Sequence, residues 1–101
     1  MYCALTVRKL KPGSIEQFKQ AFIPDDDTQT PAGWKRFYAI QSVNDENEIV
    51  TFGFFDGTLE ELRASQQDNG EYDRRRAEAD EFVESVGTDG LFEVVEERSM
   101  E

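Results

Sequence analysis

The sequence predicts an α+β domain of order β-α-β-β-α-β, in which a four-stranded antiparallel sheet carries both helices on one face. Four β-forming runs, helix-start signatures after the first and third of them, and polar or glycine-containing breakers between segments carry that expectation. A length of 101 residues fits a single domain, residues 1–101, with one modest core. A chain of this size buries roughly two-thirds of the surface that unfolding exposes.

The first run, Tyr2–Leu10, is rich in β-formers and is stopped by Lys11-Pro12-Gly13. Ser14 follows as an N-cap with Gln17 three residues on, and Ile15, Phe18, Ala21 and Phe22 recur at helical spacing. A short amphipathic helix is expected until Pro24, which cannot continue it. Asp25–Gly33 mixes consecutive acids with Thr, Pro and Gly and reads as loop. The second strand opens at Trp34 and runs to about Val43; Asn44-Asp45-Glu46-Asn47 turns the chain, and Ile49–Phe55 returns as its antiparallel partner.

Thr58 with Glu61 is a capping-box signature, and Leu59 and Leu62 begin a second helix that Asp68-Asn69-Gly70 interrupts as a kink or short loop. Helical spacing resumes through Tyr72, Arg76, Ala79, Phe82, Val83 and Val86 to a C-terminal cap at Gly87. A turn at Asp89-Gly90 then launches the last strand, Leu91–Glu97. Two strand-helix-strand units in this order form the ferredoxin-like arrangement.

Alternation along the hairpin sets Phe37, Ala39 and Val43 against Tyr38 and Ile40, and Phe52 and Phe54 against Ile49 and Phe55. Both sheet faces therefore carry apolar side chains, although helices cover one of them. A second copy packed face to face covers the other, so a homodimer is expected; the loop after the first helix is too polar to do so.

The net charge of -11 repels phosphate backbones and anionic lipid, which excludes nucleic acid and membrane surfaces as expected partners. No run approaches the eighteen or so apolar residues of a membrane span. The N-terminus lacks the charged-then-apolar order of a signal peptide, and a cytoplasmic location is expected. Cys3 stands alone in a strand, where a small buried thiol is the ordinary reading.

Leu10-Lys11-Pro12-Gly13-Ser14, the aromatics of the first helix, Pro31-Ala32-Gly33-Trp34 and Gly53-Phe54-Phe55-Asp56 resemble the dimeric α+β barrel superfamily, and within it the antibiotic biosynthesis monooxygenase-like group. The resemblance covers nearly the whole chain in element order. It implies a homodimer with a pocket between sheet and helices, in a group that includes cofactor-free oxygenases, haem-degrading enzymes and isomerases. Relatives often carry a His in the second helix, where this chain reads Ala64-Ser65-Gln66-Gln67, with Ser65 in its place. The chain has no His at all, which removes the usual haem ligand and the commonest general base.

No cofactor is expected. An aromatic pocket with a few donors suits a flat, oxidisable molecule; Trp34, Tyr38 and Tyr72 could wall it, with Arg36 or Arg76 stabilising charge. Ordinary core or interface packing is the competing reading for the aromatics. Arg74-Arg75-Arg76 point in different directions on a helix and are expected to pair as Arg74–Glu78, Arg76–Asp80 and Glu71–Arg75. Asp25-Asp26-Asp27 lacks the glycine and terminal Glu of a calcium loop, so no metal site is assigned. Binding of a small apolar or aromatic molecule is the favoured function, with a cofactor-independent monooxygenase-like or isomerase-like enzyme as the alternative.

Overall fold

The computed structural model describes residues 1–23, 32–67 and 70–100. Its elements run β1 (Tyr2–Leu10), α1 (Ile15–Phe22), β2 (Trp34–Gln41), β3 (Glu48–Phe55), α2 (Leu59–Gln67), α3 (Gly70–Asp80) and β4 (Val83–Glu93). The strands form one sheet of order β2-β3-β1-β4 with every neighbouring pair antiparallel, so β1 and β3 lie at the centre. The second predicted helix is divided into α2 and α3.

Register fixes the two faces. Ala4 pairs with Gly53, Thr6 with Thr51 and Arg8 with Ile49, and these residues look toward the helices; Cys3, Leu5 and Val7 pair with Phe54, Phe52 and Val50 on the outer face. The core forms where α1 and α3 meet the inner face: Leu10, Phe18, Phe22, Ile49 and Ala79 cluster there with Tyr72 and Phe82 against them. Phe18 and Phe22 are one helical turn apart on the buried stripe of α1 and stack at 5.3 Å.

The two helix starts differ. Thr58 Oγ1 accepts from the Glu61 N–H while Glu61 Oε1 accepts from the Thr58 N–H, both at 3.1 Å, completing the capping box. Ser14 occupies the N-cap of α1, but its hydroxyl makes no capping bond; its carbonyl accepts from Phe18 instead.

The largest departure from the sequence expectation lies after Asp80. Val83 and Val86 are in β4, not in a helix, and Gly87, Asp89 and Gly90 are strand residues. The cause is a bulge. Arg8 pairs with Val86 and Val7 with Thr88, so Gly87 is an extra residue; Lys9 pairs with Ser85 and Leu10 with Val83, so Glu84 is another. Val83 and Val86 thus serve one face at a spacing of three, which imitates a helix. The strand accordingly ends at Glu93, short of the expected Glu97, and β2 ends at Gln41, leaving Val43 exposed.

Two glycines have positive φ, with different neighbours. At Gly13 (φ 74°) a Cβ would meet open space, whereas at Gly33 (φ 95°) it would lie 2.5 Å from the Phe55 ring. Gly13→Ala should destabilise by about 1–2 kcal/mol from backbone strain alone, and Gly33→Ala by about 1–3 kcal/mol more from overpacking. Urea unfolding of both variants checks this: equal losses would show that Phe55 yields freely.

Candidate functional site

The central pair of the inner face is small. Ala4 opposite Gly53 leaves the sheet without bulk beneath the helices, and a cavity of about 610 Å³ opens there. Its walls come from Phe22 at the end of α1, Trp34 and Phe37 of β2, Ser65 of α2, and Tyr72 and Arg76 of α3, while Thr6, Thr51, Asp89 and Leu91 complete the floor. Trp34 leans across the space a larger residue at position 53 would need, meets Phe55 edge-on at 5.3 Å, and donates its indole N–H to Ser65 Oγ at 2.9 Å. Ser65 is therefore the polar anchor of the main aromatic wall.

A second bulge decides which sequence-predicted residues meet. Trp34 pairs with Phe55 and Arg36 with Phe54, leaving Lys35 as the extra residue. Trp34 and Phe37 consequently share the inner face, while Arg36 and Tyr38 turn outward. Trp34, Tyr72 and Arg76 are brought together at the cavity. Arg36 reaches its rim, but its guanidinium donates to Tyr38 Oη at 3.3 Å, and Tyr38 stacks on Phe52 at 5.2 Å on the outer face. Tyr38 is thus separated from the cavity by the sheet, because strict alternation fails at Lys35.

Arg76 bonds Asp89 Oδ2 at 2.7 Å instead of pairing with Asp80, and Thr6 donates to Asp89 Oδ1 at 3.0 Å. The Asp89 partnership was hidden because Asp89 read as a turn residue. Arg74 does meet Glu78, at 3.0 Å. The Glu71 side chain and the Asp25-Asp26-Asp27 run lie outside the described residues; among those described, no cluster of metal-ligating side chains occurs.

Arg8 is the residue that sequence reasoning missed. It is 1% exposed, donates Nη1–H to Thr51 Oγ1 at 2.7 Å, and lies over the Phe22 and Phe18 rings at 4.7 and 5.5 Å. Burial pulls its guanidinium below the ordinary arginine value. Its signal was parity: alternation from Leu10 places Arg8 and Thr6 on the face that the helices cover.

No family model and no curated protein matches the sequence. Solved structures do. A proposed antibiotic biosynthesis monooxygenase from Chloroflexus aurantiacus J-10-fl superposes with a TM-score of 0.74 at 13% identity, covering 99% of this chain and 98% of that one. The fold is that of the antibiotic biosynthesis monooxygenase-like proteins. A proposed member from Nitrosomonas europaea has a TM-score of 0.70 at 18% identity over 95% of this chain and 100% of its own. SnoaB, a cofactor-independent oxygenase from Streptomyces nogalater, has a TM-score of 0.67 at 11% identity over 95% and 94%. Identities this low speak for the fold; the chemistry of the cavity rests on this chain's own side chains.

Asp89 offers a test of the polar floor. Arg76, the larger influence, and Thr6 hold its carboxyl below the usual carboxylate range, against a smaller upward push from burial. A depressed folded value gives stability that is complete above the unfolded value, about 3.9, and is lost as pH falls through the folded one. Because Asp89 is well exposed, the gap between wild type and Asp89→Asn should be at most about 1 kcal/mol. Urea unfolding across pH should show that gap open at neutrality and closing in acid; a gap independent of pH would assign Asp89 no electrostatic role.

Proposed function

We propose that the protein binds a small apolar or aromatic molecule between its sheet and helices, and that it does so as a homodimer. The observation that carries the binding reading is the cavity itself: about 610 Å³ of space with Phe22, Trp34 and Phe37 in its walls and hydrogen-bonding groups in its floor. That combination of apolar surface with few polar groups is what small-molecule sites share. Packing of the aromatics as ordinary core is not enough to account for it, since a core closes such volume.

The dimer rests on the outer face. Tyr38, Phe52 and Phe54 form an aromatic cluster with centroid separations of 5.2 to 6.5 Å, flanked by exposed Ile40 and Phe92. A contiguous apolar face of this kind is a recognised mark of association, and a second copy offers the same surface in return. A cofactor-independent monooxygenase-like or isomerase-like enzyme is the second reading; it draws on the likeness to SnoaB and differs in requiring turnover of whatever the cavity holds. None of the described helices is long and apolar enough to cross a membrane.

Two measurements test these readings. N-phenyl-1-naphthylamine, a neutral fluorescent probe, should brighten on binding wild type, and Ala4→Phe, which fills the floor, should weaken it at least about tenfold; an unchanged affinity would move the probe out of the cavity. Sedimentation equilibrium should report two chains per particle for wild type and one for Phe52→Glu, because two carboxylates would face each other across the interface. A monomeric wild type would remove the dimer.

A further inference from the structure

The cavity runs against the charge of the chain. Acids outnumber bases 22 to 11 in the sequence, yet the lining carries Lys35, Arg36, Arg75 and Arg76 against Asp73 and Asp89. Arg8 adds another cation beside the floor, on the same inner face. Its Nη2 is buried and has no hydrogen-bond partner among the described residues. Asp89 makes no hydrogen bond to it; its two carboxylate oxygens accept from Thr6 and from Arg76. A buried guanidinium with an idle donor and no carboxylate of its own is costly, and an anion placed nearby offsets that cost.

The Arg8–Thr51 bond determines what the cavity presents. A guanidinium only donates, so Thr51 Oγ1 is the acceptor, and the single hydroxyl proton of Thr51 is left for another partner. Thr51 is buried but lines the cavity, so a molecule seated there is the partner within reach of that proton. Its donor strength is raised because the oxygen already accepts from a cation.

Building on the ligand-binding reading above, we propose that Thr51, backed by Arg8, is an anion-recognition element, and that the ligand is an apolar molecule bearing one oxyanion. The oxyanion accepts from the Thr51 hydroxyl and lies in the field of the Arg8 guanidinium. Arg8 acts as a positioning residue: it fixes the hydroxyl as acceptor toward itself and donor toward the cavity. The aromatic walls then take the apolar body of the ligand.

An isosteric probe pair tests this. By titration calorimetry, 1-naphthoate should bind wild type at least about tenfold more tightly than neutral 1-naphthamide. Thr51→Val should bring the two affinities together by weakening naphthoate far more than naphthamide; Arg8→Gln should do the same, and Arg8→Lys should restore part of the preference. Equal affinities in wild type, or a preference that survives Thr51→Val intact, overturn the anion element and leave the ligand-binding reading standing. Failure of both probes to bind removes both. The wild-type ratio alone decides the question should a variant not fold.

Discussion

Register between β1 and β3 sets Ala4 against Gly53 and Thr6 against Thr51, and a slip of one residue would exchange the entire inner set for Leu5, Val7, Phe52 and Phe54. The hollow beneath the helices exists because the two central strands meet there through a methyl group and a hydrogen. Larger residues stand to either side: the Leu10, Phe18 and Ile49 cluster lies toward one end and Phe55 with Trp34 toward the other. Cavity and core are therefore consequences of one pairing.

The legible parts of this molecule were those governed by regular periods. Capping chemistry at Thr58 and Glu61, the apolar stripe of Ile15, Phe18 and Phe22, and the aromatic alternation of β3 all follow fixed spacings, and each is realised in the structure. Bulges defeated the rest. At Glu84 one extra residue gave a strand the spacing of a helix, and at Lys35 another placed Trp34 and Phe37 on one face and sent Tyr38 to the other. A bulge is recorded in the pairing of two strands, so neither strand's own sequence announces it.

The floor was harder still to read, because its members are distant in sequence and ordinary in type. Thr6, Thr51 and Asp89 reveal nothing singly; only the ladder that joins β3, β1 and β4 brings them within reach of Arg8 and Arg76. Arg8 itself looks like the first of a solvated pair with Lys9 until parity is followed inward. Two phenylalanine faces then substitute for part of its hydration, which makes the aromatic stripe of α1 an electrostatic partner as well as a packing surface.

The chain contains no histidine, the side chain whose ordinary titration falls between about pH 5 and 8. The cations in and beside the floor include two arginines, and arginine keeps its proton throughout the range in which cells live. A protein so furnished does not sense acidification by proton uptake at an imidazole. Between mildly acid and mildly alkaline pH these guanidinium charges stay constant.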